Sequence, residues 1–541
     1  MALVRSVLLT VGMVTAYFGM AVSDMGPVVS IQNGSLQGEI VRAKGTEQEV
    51  QRFLGIPFAR PPVGDLRLAA PQPALPWEGV LNATRQPNMC LQDPDVLEAT
   101  SIALSINYSL PGLSEDCLYL NVYAPSNLTV EQKAPVMVWI HGGGLVMGGA
   151  AQYDGTSLAA YQGVVVVIIQ YRLGVLGYFS TGDEYAAGNW GFLDQIAALQ
   201  WVQENIKHFG GDPNSVTIFG ESAGGISTSI LTLSPLSSGL FHKVIFQSGV
   251  ALVGKYSKND ALSSAKMIAN VTGCDHSTTK QMVQCIKEKT SEDIINATKR
   301  MLIFLGATVD GVFLKKPGED VLKSKDFLKV PVLLGITNDE FGWILPNAFL
   351  QGTQWEKGMD KETVISKMHL FFPDLAMSEK DRIAQGYLKD AKTPEAVRDG
   401  FTDMMGDLFM VIPTIKVAGY HRDAGAPVYL YEFQYASGAY MNRPSFVKAD
   451  HADDVGFVFG ACFWDSLIKI TGPISKVDEK LCRTMMAYWA NFARTGSPNG
   501  EGLVHWPVYG ENEEYLKLDV EQTVGQKLKQ DRVNLVIGNR S

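Results

Sequence analysis

The sequence predicts an α/β domain with a mostly parallel central sheet flanked by helices. Three observations lead there. Short continuous apolar runs rich in β-branched residues recur along the chain, as strands buried on both faces require. They alternate with stretches of helical periodicity. No internal repeat or low-complexity linker interrupts the 541 residues. Hydrophobic residues make up 46% of the chain and charged ones 19%, the balance of a folded globular protein. A net charge of −10 with no run of like charge argues against binding to a nucleic-acid backbone.

The elements follow in order. Val136-Met-Val-Trp-Ile140 and Val164-Val-Val-Val-Ile-Ile169 read as buried strands. Phe192, Ile196, Leu199, Val202, Ile206 and Phe209 recur at three- and four-residue steps, which predicts an amphipathic packing helix stopped by Gly210-Gly211. Val216-Thr-Ile-Phe219 is the next strand, with a helix expected over residues 226–233. Val244-Ile-Phe246, Val330-Pro-Val-Leu-Leu334 and Val428-Tyr-Leu-Tyr431 complete the set.

Chemistry concentrates at the ends of these strands. Gly220-Glu-Ser222-Ala-Gly224 has the form Gly-x-Ser-x-Gly between a strand and a helix, the context of a nucleophile elbow. Small residues two positions either side of the serine let strand and helix approach, and the helix N-terminus favours developing negative charge. The competing reading is a helix N-cap serine. His141-Gly142-Gly143-Gly144 follows the 136–140 strand, and its uncovered N–H groups suit an oxyanion hole; a surface turn is the alternative. In elbow enzymes of this kind the order is serine, acid, histidine. Of the eight histidines, His421 reads as an exposed turn and His505 as packing on Trp506. His451 lies in the polar loop Asp450-His-Ala-Asp-Asp454, as a base or as a solvated surface histidine. Asp339 and Glu340 are adjacent carboxylates after the 330–334 strand, and either suits the acid.

The N-terminus reads as a basic start, a short apolar core and a small-residue exit, which predicts a signal peptide over residues 1–23 and one domain over 24–541. A retained signal anchor is the alternative; its apolar stretch is short for a span. Sequons at Asn33, Asn82, Asn107, Asn127, Asn270, Asn296 and Asn539 fit a glycoprotein. Cys90 and Cys117 span a loop of moderate length and Cys274 and Cys285 a shorter one; Cys462 and Cys482 are left over, and the pairing stays open. No Cys-x-x-Cys or paired His-Cys spacing points to zinc.

Taken together, these residues resemble the type B carboxylesterases, in pattern the mammalian liver enzymes. The motifs are Phe53-Leu-Gly-Ile-Pro-Phe-Ala59, Ser114-Glu-Asp-Cys-Leu-Tyr-Leu-Asn121, the His141 glycine run, Gly188-Asn-Trp-Gly-Phe-Leu-Asp-Gln195, Gly220-Glu-Ser-Ala-Gly-Gly225 and Asn491-Phe-Ala-Arg-Thr-Gly-Ser-Pro-Asn-Gly500. The resemblance implies an α/β-hydrolase fold with Ser222 as nucleophile, Glu340 as acid and His451 as base. It implies an oxyanion hole from the N–H groups of Gly143, Gly144 and Ala223, and disulfides Cys90–Cys117 and Cys274–Cys285. No metal or organic cofactor is implied, nor a stable membrane span. The expected partners are small uncharged esters, and by extension amides and thioesters. A lipase-like hydrolase of long-chain glycerides and a silent adhesion ectodomain are the alternatives. The tryptophan that cholinesterases place between the first two paired cysteines is missing between Cys90 and Cys117, so choline esters are not expected. Liver enzymes end in His-x-Glu-Leu for retention in the endoplasmic reticulum lumen. The terminal Asn539-Arg-Ser541 here favours secretion, and the 299–309 stretch reads as shortened.

Overall fold

The computed structural model describes residues 26–129, 131–253, 261–275, 277–299, 306–465 and 468–538. The expected signal segment, Asn539, His276 and most of the 299–309 stretch lie outside the described residues.

One sheet of eleven strands organises the chain. Its strands are β1 (Glu39–Arg42), β2 (Glu49–Pro57), β3 (Tyr119–Pro125), β4 (Ala134–Ile140), β5 (Val165–Ile169), β6 (Gly211–Glu221), β7 (Lys243–Gln247), β8 (Val332–Thr337), β9 (Val428–Phe433), β10 (Glu514–Leu518) and β11 (Thr523–Gln526). Their spatial order is β1-β2-β3-β5-β4-β6-β7-β8-β9-β10-β11. Pairing is parallel from β5 through β10 and antiparallel at both edges. All six strands expected from the sequence are present.

The side-chain alternation explains why these runs are apolar throughout. Val136, Val138 and Ile140 face one core with Val165, Val167 and Ile169. Met137 and Trp139 face the other with Val166 and Ile168. Helices α1 (Trp190–Asn205) and α2 (Ala223–Leu233) cover the first face, contributing Phe192, Leu199, Ile226 and Ile230. Further along the chain come α3 (Ile344–Phe349), α4 (Pro394–Gly406), α5 (Ile412–Asp423), α6 (Asp453–Val458) and α7 (Lys476–Thr495). The last of these covers the second face with Met485, Trp489 and Phe492.

One expectation is met with an addition, and one needs correction. The α1 region runs to Phe209 and ends at Gly210, whose φ is +80°; Gln200, Glu204, Lys207 and His208 are exposed as an amphipathic helix requires, but not every polar residue is. Asp194, Gln195 and Asn205 are fully buried. Asp194 accepts from the Arg172 backbone N–H at 3.0 Å and from its guanidinium at 2.8 and 2.7 Å, so the helix carries a buried ion pair. His421 is not an exposed turn: it is buried on α5 against Phe246 and Phe327, and burial lowers its pKa to about 4.

Three disulfides are formed: Cys90–Cys117, Cys274–Cys285 and, beyond the expected pairs, Cys462–Cys482. Among the described residues no helix is long and apolar enough to cross a membrane.

Functional side chains gather at the carboxyl ends of the parallel strands. His141 follows β4, Ser222 follows β6, Ser248 lies one residue beyond β7 and Glu340 three beyond β8. Strand order reverses around β4, and ligands of open α/β sheets bind in the crevice at such a reversal.

Candidate active site

Ser222 sits between β6 and α2 with φ +56° and ψ −124°, a conformation that costs a non-glycine residue strain. Its N–H donates to Gln247 O at 2.9 Å, and its carbonyl accepts from Ile226 N at 2.8 Å, so the surrounding backbone holds the strained turn. Ser222 occupies the N-cap position of α2, but its hydroxyl makes no capping hydrogen bond. The cap reading is therefore wrong in its essential point, because the Oγ is left available. Packing around the turn is close: a Cβ at Gly224 would lie 2.0 Å from Ile140 O, and one at Gly220 would lie 2.5 Å from Gly224 C.

The glycine loop after β4 backs onto this turn. A Cβ at Gly142 would lie 3.0 Å from Glu221 Oε2 and 3.1 Å from Ser222 Cβ. Gly143 and Gly144 have φ of +101° and +63°, which reverses the chain in a way side-chain-bearing residues avoid. Among the described residues their N–H groups donate to no backbone acceptor. Ala223 opens α2, where N–H groups lack intrahelical partners. His141 is buried and anchors the loop: its ring stacks on Tyr171 at 4.3 Å, and the Tyr171 hydroxyl donates to His141 O at 2.7 Å. Burial lowers the imidazole to about 4, so the ring is neutral and its Nδ1–H donates to Gly142 O at 2.9 Å.

Glu340 and His451 meet across 111 residues of chain, with Nδ1 at 2.7 Å from Oε2. Both are buried. The other Glu340 oxygen accepts from Ser248 Oγ at 2.6 Å and from Thr337 N at 2.8 Å, so the carboxylate is fixed at both ends. His451 is not a solvated surface histidine. Its Nε2 lies 3.0 Å from Glu221 Oε1, though no hydrogen bond is formed there. Burial opposes its charged form, but Glu221 and Glu340 outweigh it and raise the imidazole pKa. Burial raises Glu221 as well, against the opposing effect of His451. Asp454 stands behind the pair, accepting from Tyr431 Oη at 2.5 Å and Gln247 Nε2 at 3.0 Å.

The arrangement is a buried acid–imidazole pair beside an elbow whose half-buried serine makes no capping bond and a loop whose Gly143 and Gly144 N–H groups, among the described residues, donate to no backbone acceptor. The profile of the carboxylesterase family matches residues 25–536. The chain belongs to the carboxylesterase family. It is a carboxylic ester hydrolase of the α/β-hydrolase fold. Similar proteins include the medium-chain fatty acyl-CoA hydrolase precursor of Anas platyrhynchos, 47% identical over 98% of this chain and 95% of that protein. The liver carboxylesterase of Sus scrofa is 47% identical over 94% and 92% of the two chains. The cocaine esterase of Homo sapiens is 45% identical over 95% and 92%.

In this carboxylesterase the expected acid pair divides its work. Glu340 faces His451, whereas Asp339 turns away and accepts from Lys448 N at 2.9 Å. The sequence reading did not single out Glu221, Ser248 or Asp454 as neighbours of the pair. The only available signal was adjacency, Glu221 to Ser222 and Asp454 to the His451 loop. Of the sequons, Asn82, Asn107, Asn127, Asn270 and Asn296 are exposed. Asn33 is half-buried, and its Nδ2 donates to Ala74 O at 2.9 Å.

Proposed function

We propose that this carboxylesterase hydrolyses uncharged carboxylic esters by two-step acyl transfer on Ser222. His451 takes the hydroxyl proton through Nε2 as Oγ attacks the ester carbonyl. The N–H groups of Gly143, Gly144 and Ala223 receive the oxyanion, and one such donor contributes about 3 kcal/mol to the barrier reduction. The alcohol leaves with the proton from His451, and water then repeats the sequence on the acyl-enzyme. Glu340 fixes the imidazole tautomer and stabilises its charge without itself exchanging protons. The observation that carries this reading is the Glu340–His451 contact of 2.7 Å, made in a buried site beside the strained Ser222 turn. His451 Nε2 makes no hydrogen bond and lies 3.0 Å from Glu221 Oε1, so its bond to Ser222 Oγ is one that substrate binding has to complete, as catalytic hydrogen bonds often tighten only in the complex.

The relatives named fatty acyl-CoA hydrolase and cocaine esterase support acyl transfer from esters and thioesters. The signal-like start, the sequons and three disulfides support a glycoprotein of the secretory route, secreted or held in the endoplasmic reticulum lumen. Ser222→Ala tests the chemistry: turnover of a small aryl ester is expected to fall roughly 10⁴-fold or more with the fold intact. Parental turnover in the folded variant rejects the nucleophile.

A further inference from the structure

The turn that carries the acid and the loop that carries the base hold each other by exchanged hydrogen bonds. From the acid side, Asn338 Oδ1 accepts from Ala449 N at 3.1 Å and Asp339 Oδ2 from Lys448 N at 2.9 Å. From the base side, Asp450 accepts from Trp343 N at 3.0 Å and from Ile344 N at 2.9 Å, one on each oxygen. Asp339 and Asp450 are paired as a parallel bridge, with Asp339 N donating to Ala449 O at 3.0 Å.

We propose that Asp450 is a positioning residue, which sets the register between the Glu340 turn and the His451 loop so that the acid and imidazole meet. The proposal rests on the Ser222–Glu340–His451 reading. A register slip of one residue along extended chain moves a side chain by about 3.3 Å and turns it to the other face. A hydrogen bond tolerates only a few tenths of an ångström. Something must therefore fix how far the two segments slide, and they are 111 residues apart in sequence.

Asp450 is placed to do this. It immediately precedes His451 and is fully buried. Its two oxygens take the N–H groups that flank the start of α3, three and four residues beyond Glu340. Its own N–H donates to Asp453 Oδ2 at 2.8 Å, and Asp453 is clamped by the Arg443 guanidinium. The side chain is thus tied at its backbone and at both carboxylate oxygens. Asp339 and Asn338 grip only the backbone that precedes the base, whereas Asp450 grips the backbone that follows the acid. Each side of the Glu340–His451 contact is bracketed.

Asparagine is nearly isosteric but offers one acceptor and one donor where two acceptors are needed. It leaves one buried N–H facing an amide NH₂ and loosens one of the two brackets. Glutamate keeps both acceptors and displaces them by one methylene. Kinetics per active site, counted by phosphonate titration, separate misplacement from misfolding. Asp450→Asn is expected to lower kcat for a small aryl ester at least about thirtyfold, with KM changed less than about threefold. Asp450→Glu is expected between that variant and the parent. Parental kcat in Asp450→Asn overturns the proposal, as does a loss fully explained by fewer titratable sites or by a matching rise in KM. Should the asparagine variant not fold, parental kcat in Asp450→Glu overturns it instead. Ser222→Ala measured alongside distinguishes the two levels. If that variant keeps turnover, the underlying reading falls and the proposal with it. If it loses turnover while Asp450→Asn does not, the proposal alone falls.

Discussion

Asp339 and Glu340 are adjacent, both acidic, and occupied by different tasks. The Glu340 carboxylate receives His451, Ser248 and Thr337, and an amide there presents an NH₂ group to at least one donor. It also favours the wrong imidazole tautomer. Glu340→Gln is expected to lose roughly 10³-fold or more in turnover. Among the described residues the Asp339 carboxylate accepts one backbone N–H, that of Lys448 at 2.9 Å, a bond that asparagine keeps, so Asp339→Asn is expected to cost less than about tenfold. Steady-state rates of both variants on one ester decide the assignment, and the reverse ranking contradicts it. Glu221 gives a second test. Its carboxylate helps hold the His451 pKa above the ordinary value, against burial. Where Glu221 is ionised despite its burial, Glu221→Gln removes that charge, destabilises the imidazolium, lowers its pKa and frees the neutral base at lower pH. The acidic limb of kcat/KM should therefore move to lower pH; a limb that stays or rises contradicts the charge coupling. At this scale the sequence is legible where type and place coincide, as at Ser222 between a strand and a helix. It is opaque where burial decides. The Asp450–Asp454 loop reads as polar surface, yet Asp450, His451, Asp453 and Asp454 are all buried, held by the Arg443 ion pair, the Glu340 carboxylate, backbone N–H donors and the Tyr431 hydroxyl from other segments. His421 fails for the same reason: Arg422 and Asp423 suggest a turn, and the apolar partners Phe246 and Phe327 come from distant segments.

Runs such as 136–140 and 164–169 are readable because both faces are covered, and no polar alternation dilutes the signal. The α1 region is readable in extent but not in surroundings, since Asp194, Gln195 and Asn205 look solvated until neighbouring segments pack over them. The third disulfide shows the same limit. Cys462 follows α6 and Cys482 lies on α7, and their approach depends on α7 lying across the sheet face that the His451 segment also covers. This bond ties the segment after His451 to the longest helix of the second core. Closing a loop of 20 residues removes unfolded-state entropy equivalent to about 3 kcal/mol. The double variant Cys462→Ser/Cys482→Ser is expected to lose stability of that order, read as a lower urea midpoint for loss of esterase activity. An unchanged midpoint contradicts a stabilising role.

Across the whole molecule, one sheet gathers residues scattered over more than 300 positions in sequence. β4 delivers the glycine loop, β6 the serine and its Glu221 neighbour, β7 the Ser248 support and β8 the acid, all at one edge. The His451 loop closes over that edge from beyond β9, and α2 and α7 bury the two faces of the sheet. The parallel order and the elbow motif make this edge foreseeable, because carboxyl ends of parallel strands are where such folds place chemistry. We propose that these strand ends activate a single serine, Ser222, for acyl transfer. The most direct test is a fluorophosphonate ester reacted with the chain expressed in cultured animal cells, followed by peptide mapping of the adduct and assay of residual ester hydrolysis. One adduct per chain is expected, on Ser222, with activity lost in proportion to labelling and no labelling of Ser222→Ala. An adduct on another residue, or ester hydrolysis that survives complete labelling of Ser222, contradicts it.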